Sequence, residues 1–479
     1  MINNKIIRKL LFFLPKKIMF CLIKNNFTFI MALFYKVFII KRKKSKYRST
    51  IRDADKITIL ALNGSRFRGD LECLSQVNNF RILTMNNNMW QTLLVYCFMT
   101  KRKIFVYEYI KAENDSDIGR CRDKINIFFD GFISALLKLI RIDCVITVNF
   151  RYVEDYPWVK HFEGKGIPHI CLFREGLCVV DRYFDGLVGY NRRFKGYPVT
   201  HTIVHNMRCK DAFLKSGFAT GAQVSICGAL RMDNFLKRIK SGNGNTLINN
   251  KNRRKQVMLV YFPSTFYLFG KDKLSANDKL SDNAHKYRYA IDKWPKRIDL
   301  YNDLHMSLIH LAGKFPEVDF VIKFKREDVV NAWDEYKKIV NESGIDLSKL
   351  ENYRIEDDVD AHDLIMNSDV VIALQSTMVL EAAIAGKSVI FPLFYNYRET
   401  MLSHSLHWRD HLDLFDVAES ADEMESLVVE RLRDPEIDEK IMEDRRRLFG
   451  EYFSDIEGVA LKRYVETIKN VVTSEKCQN

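Results

Sequence analysis

Residues 368–392, S-D-V-V-I-A-L-Q-S-T-M-V-L-E-A-A-I-A-G-K-S-V-I-F-P, decide how this chain is read. Residues 370–374 form a short apolar run of the kind a covered parallel strand shows. Gln375, Ser376 and Thr377 break it with amide and hydroxyl side chains. Residues 378–385 favour helix, Gly386 stands where a helix C-cap belongs, residues 389–391 return to strand, and Pro392 ends it. The bend at 375–377 therefore sits at the carboxyl edge of a parallel sheet. Open α/β sheets bind ligands at that edge, and helix N-termini there favour anions such as phosphate. Glu381 follows Thr377 by one helical turn and is placed to accept hydrogen bonds from ribose hydroxyls. The plainer reading of the same letters is a βαβ unit whose Ser or Thr only caps a helix.

Strand and helix alternate on both sides of this stretch. Residues 57–62, 104–106, 144–148, 169–173, 202–205 and 224–227 read as strands, with helices at 125–139 and 208–216. Polar turns follow several of them: N-G-S-R at 63–66, R-E-G at 174–176, G-A-L-R-M-D at 228–233. The polar stretch 241–255 reads as a linker. A second series starts with strand 257–262 and its P-S-T turn at 263–265. It continues through helix 304–314, strand 320–324 closing in K-F-K-R at 323–326, and helices at 361–366, 421–430 and 437–449. The expected architecture is α/β. Two Rossmann-like domains, 51–240 and 256–440, face a cleft, with a helical tail at 441–479. The chain contains no G-x-G-x-x-G or Walker A sequence, against dinucleotide oxidoreductases and P-loop kinases. It contains no H-E-x-x-H or G-x-S-x-G, against zinc proteases and α/β-hydrolases.

With 479 residues, 47% hydrophobic and 28% charged, the composition is globular and calls for two domains. The net charge of +14 is concentrated at one end, because residues 1–50 carry thirteen Lys/Arg and no Asp or Glu. The nearly neutral remainder lacks the basic stripe a nucleic-acid partner needs. Apolar clusters at 10–14, 18–23, 27–35 and 37–40 alternate with these cations, and none reaches the ~18–20 residues that span a bilayer. Two readings stay open: a basic amphipathic segment on an anionic membrane surface, and a helical subdomain packed on the body. The first is expected, placing the protein peripherally on the cytoplasmic face of the membrane. The ten cysteines show no C-x-x-C or metal spacing and fit a reducing compartment.

Two such halves, with Q-S-T-x-x-x-E-A-x-x-x-G-K-x-V-I-F-P at 375–392 in the second, resemble GT-B fold glycosyltransferases. The likeness is to the branch acting in bacterial capsule, lipopolysaccharide and related surface polysaccharide synthesis. It implies that the C-terminal half binds a nucleotide-sugar donor and that a glycan or lipid-linked acceptor enters from the N-terminal half. By this resemblance Gln375, Ser376 and Thr377 hold the donor phosphate, Glu381 meets the ribose, and Ser264 and Thr265 form the first donor loop. Lys323, Lys325 and Arg326 stand near the phosphates, with K-F-K in place of the more usual K-x-H. G-A-L-R-M-D resembles the G-x-P-R-x-D that closes the acceptor half, with Leu230 in place of the proline.

Sugar transfer needs a base for the acceptor hydroxyl and cations for the departing phosphate. Glu175, at the end of strand 169–173, is the expected base. Asp233 is the second acidic candidate, as nucleophile in a retaining reaction or as a helix cap. Arg231 and His205 are possible substrate contacts. No metal or cofactor is required. The rival readings are a nucleotide-sugar 2-epimerase, a CDP-polyol glycerophosphotransferase of teichoic-acid type, and a non-catalytic nucleotide- or glycan-binding assembly protein.

Overall fold

The structure, a computed structural model, describes residues 20–43, 51–85, 95, 104–174, 177–241, 253–260, 296–324, 345–400, 403–453 and 456–478. The chain divides into two compact units. The first comprises Met1–Cys178, Phe184–Asn234 and Phe453–Asn479, the second Val179–Tyr183 and Phe235–Tyr452. The chain thus crosses between Asn234 and Phe235, ahead of the polar stretch 241–255. Of the stretch 441–479 expected as a helical tail, residues up to Tyr452 belong to the second unit and residues from Phe453 to the first.

Among the described residues the first unit holds seven strands: β1 Ile40–Arg42, β2 Ile57–Ala61, β3 Phe80–Met85, β4 Cys144–Thr147, β5 His169–Leu172, β6 His201–Val204 and β7 Val224–Ile226. Their order is β1-β3-β2-β4-β5-β6-β7, with β1 antiparallel on β3 and the others parallel. Neighbouring residues of one strand serve opposite cores. Leu60, Val145 and Cys171 face one cluster, while Ile59, Ile146 and Ile170 face the other. Both faces are covered, which is why these strands read as unbroken apolar runs. The Asp117–Leu139 and Tyr156–Glu163 helices cover the first face. Tyr464, Ile468 and Val472, spaced four apart on the Ala460–Gln478 helix, cover the second.

Residues 20–43 are built into this unit. Met31, Ala32, Tyr35, Ile39 and Ile40 are buried in its core, and the Tyr35 ring lies 5.2 Å from Phe132 and 5.6 Å from Trp158. A Cβ on Gly131 would stand 3.1 Å from Thr28 Cγ2, so glycine lets the Asp117–Leu139 and Thr28–Phe34 helices approach closely. The described part of 1–50 is therefore no separate segment. The expected strand at 104–106 is also corrected: a helix, Val106–Lys111, starts there. The Glu108 carboxylate accepts the Phe105 N–H at 3.1 Å, satisfying the entry to that helix.

Among the described residues the second unit has a six-stranded, fully parallel sheet of β8 Gln256–Val260, β9 Asp319–Lys323, β10 Tyr353–Glu356, β11 Val370–Ile372, β12 Ser388–Pro392 and β13 Asp416–Ala418, in the order β10-β9-β8-β11-β12-β13. Between β11 and β12 runs the expected helix, Met378–Ile384, and Gly386 beyond it has φ +71°, the left-handed conformation anticipated for a C-cap. Lys387 Nζ donates to the Met366 carbonyl at 3.1 Å, and burial pushes this lysine down to about 8. Buried Arg445 donates to the carbonyls of Leu414 and Lys387.

Both sheets are Rossmann-like, and each has a point where strand order reverses. In the first unit the chain leaves β2 for β3 on one side and resumes at β4 on the other. In the second it leaves β8 for β9 and β10, then resumes at β11. Outside the carboxyl ends at such a reversal, two loops diverge and leave a crevice for ligand.

Candidate functional site

In the second unit the bend at 375–377 leaves β11 at this reversal point. Ser376 and Thr377 are half-buried there. The Ser376 hydroxyl accepts the Met378 N–H at 3.1 Å, so Ser376 supplies the cap, and Thr377 makes no side-chain cap bond. Gln375 is buried and holds the bend in place: its amide donates to the Tyr183 hydroxyl at 2.8 Å and accepts the His407 N–H at 3.1 Å. The Trp408 indole donates to the Ser376 carbonyl at 3.3 Å. Gln375 thus braces the bend from within the second unit.

Glu381, one turn further, is only 3% exposed. Its Oε2 lies 3.2 Å from His362 Nε2, and the Phe235 ring stacks on that imidazole at 4.1 Å between centroids. Burial thus comes with a partner for Glu381, as a buried polar group requires. Lys323 ends β9 and donates to the Asp357 carbonyl at 3.0 Å. Burial lowers its ammonium, opposed by Asp357, Asp360, Glu356 and Asp358.

In the first unit, Asn63, Arg68 and Gly69 all have positive φ in the loop after β2, at that sheet's reversal point. Left-handed backbone at a residue as bulky as Arg68 is strained and persists only when its surroundings fix it. Arg174, just past β5, does so: it donates to the Phe67 carbonyl and its Nε lies 3.3 Å from Asp70 Oδ2. Arg66 pairs with Glu154 at 2.7 Å and lies over the Tyr152 ring. His205, after β6, is buried; burial, with Arg231 and Arg174 adding to it, pushes this imidazole down to about 3. It is neutral at neutral pH. The carboxyl edge of this sheet therefore gathers Asp70, Arg174, His205 and Arg231.

Asp233 does not join them as a reacting group. Its two oxygens accept the N–H groups of Ala460 at 3.1 Å and Leu461 at 2.7 Å, and it is buried. It caps the Ala460–Gln478 helix and itself lies in the first turn of the Met232–Lys240 helix. The nucleophile expectation is corrected on that ground. Glu175, Ser264, Thr265, Lys325 and Arg326 lie outside the described residues. Sequence reading did not single out Asp70, Tyr183 or Trp408, whose partners are remote in the chain. Among the described residues, no cluster of His, Cys, Asp and Glu is arranged to hold a metal ion.

No protein-family model matches this chain, and no curated protein matches its sequence. Solved structures do resemble it. The UDP-GlcNAc 2-epimerase from Neisseria meningitidis bound to UDP-GlcNAc is 14% identical, with a TM-score of 0.47 over 86% of this chain and 99% of its own. A trehalose-6-phosphate synthase is 12% identical, with a TM-score of 0.44 over 86% of this chain and 99% of its own. The wall teichoic acid polymerase TagF is 11% identical, with a TM-score of 0.44 over 89% of this chain and 92% of its own.

Proposed function

We propose that this chain is a glycosyltransferase of GT-B type, moving a sugar from a nucleotide-activated donor to a growing surface glycan or glycolipid. The observation that carries this reading is the braced, half-buried Ser376–Thr377 bend at the reversal point of a fully parallel sheet. In the proposed reaction an acceptor hydroxyl attacks the anomeric carbon and the bond to the diphosphate oxygen breaks. Glu175 takes the hydroxyl proton, and the diphosphate leaves with its charge met by the Ser376–Thr377 bend and by Lys323, Lys325 and Arg326. The Glu381–His362 pair orients the donor ribose. With Asp233 committed to a helix cap, the acceptor hydroxyl displaces the diphosphate directly, without a covalent intermediate on that carboxylate.

A thermal-shift screen against UDP-, GDP-, CDP- and CMP-linked sugars tests the donor site, since ligand at 100 times its Kd adds about 2.7 kcal/mol. No shift with any donor overturns the reading. With the binding donor in hand, product that forms only when acceptor is present supports transfer. Product without acceptor indicates epimerisation, and a CDP-polyol donor indicates polyol-phosphate transfer. Glu175→Gln should lower turnover by ~100-fold or more while donor affinity is kept.

A further inference from the structure

Along the Thr28–Phe34 helix and the π-helical turn Tyr35–Ile39, the inward side chains Met31, Ala32, Tyr35 and Ile39 belong to the core. The outward side is apolar as well. Phe20, Phe27, Phe29, Ile30, Leu33, Val37 and Phe38 are 44–63% exposed. Positions 29, 30, 33 and 37 recur at helical spacing, so they form one stripe opposite the buried one. A helix apolar all round belongs in apolar surroundings, and the described residues cover only one side of this one. Single exposed hydrophobic residues need no account, but a contiguous group marks an interaction surface.

Charge identifies the partner. Lys24, Lys36 and Lys41 are exposed in the same stretch, and residues 1–50 carry thirteen cations without one acidic residue. A second copy docking on this face by two-fold symmetry would bring like charge against like. A surface of anionic phosphates above an apolar layer complements both the stripe and the lysines. Among the described residues, no helix is long and apolar enough to cross a bilayer.

We propose that this face docks on an anionic lipid bilayer. Phe29, Ile30, Leu33, Val37 and Phe38 enter the boundary between headgroups and acyl chains, and Lys24, Lys36 and Lys41 meet lipid phosphates. The buried stripe fixes the docking face to the first unit, so the enzyme lies on the membrane as a rigid body at this point. The proposal is independent of the reaction proposed above.

The test is flotation of the full chain with vesicles of phosphatidylcholine alone and of phosphatidylcholine with phosphatidylglycerol, at low and high salt. Binding should require the anionic lipid and weaken with salt. The triple variant Phe29→Ser, Leu33→Ser, Phe38→Ser should bind at least about tenfold more weakly while still unfolding cooperatively, because all three positions are largely exposed. Absence of binding at low salt, equal binding to neutral vesicles, or unaltered binding by the variant overturns the proposal. A vesicle-free dimer that the variant dissociates would assign the face to a second copy instead.

Discussion

His362 Nε2 and Glu381 Oε2 stand 3.2 Å apart, joining the short helix that precedes β11 to the one that follows it. A buried carboxylate that loses this partner keeps its desolvation cost and recovers less of it. His362→Ala should weaken nucleotide binding about tenfold, measured by titration calorimetry. His362→Gln, which retains a donor, should recover most of it. Loss of turnover with undiminished nucleotide affinity would contradict the ribose-orienting role.

Asp233 satisfies two of the N–H groups that the start of the Ala460–Gln478 helix leaves open. Asp233→Ala should cost about 1–2 kcal/mol of unfolding free energy in denaturant titration, and Asp233→Asn less. Turnover per folded molecule should stay unchanged. A collapse of turnover at unaltered stability would restore Asp233 as a reacting group.

These two residues show what the chain disclosed by itself and what it withheld. Helix-period and strand-run patterns located β2, β4 to β9, β11 and β12, because doubly covered strands are locally apolar. β1, β3, β10 and β13 carry Arg42, Arg81, Arg354 and Asp416 and lie at or near sheet edges, where polar residues interrupt the run. The bend at 375–377 was legible because strand, bend and helix are contiguous. The capping partner of Asp233 lies more than two hundred residues away, the Gln375 brace comes from Tyr183 and His407, and no local pattern encodes either. Glu381 was legible as a position, but its pairing with His362 depended on how two helices pack.

Arg445 is buried and its guanidinium reaches the carbonyls of Leu414 and Lys387 together. Arg445→Met should leave both acceptors unmet, costing about 2–3 kcal/mol in chemical denaturation. Arg445→Lys should rescue little, because a single ammonium does not reproduce the planar fork. Stability within about 0.5 kcal/mol of the parent for Arg445→Met would show that water replaces the guanidinium.

His169 provides a pH test. Its Nδ1 donates to the Pro198 carbonyl at 2.9 Å and its Nε2 accepts from the Thr147 hydroxyl at 2.8 Å, while burial pushes the ring from 6.5 down to about 4. The unfolded chain takes up this proton near pH 6.5 and the folded chain only near 4, so the contribution is intact above 6.5 and lost between 6.5 and 4. Each such histidine should steepen the decline by up to ~1.4 kcal/mol per pH unit. His201 and His407, each pushed to about 4 by burial, act in the same direction. Urea unfolding at pH 7.5, 6.5 and 5.5 should show the decline, and His169→Gln should flatten it. Equal slopes in parent and variant would show that the ring already titrates normally in the native state.

Tyr464, Ile468 and Val472 close one face of a sheet whose strands all lie before residue 227. Phe67, Leu71 and Leu74 cover part of that face early, but the rest waits until the whole of the second unit, through Tyr452, has left the ribosome. A chain cut just before Tyr464 would therefore loosen the sheet made first and leave the later one with its own core.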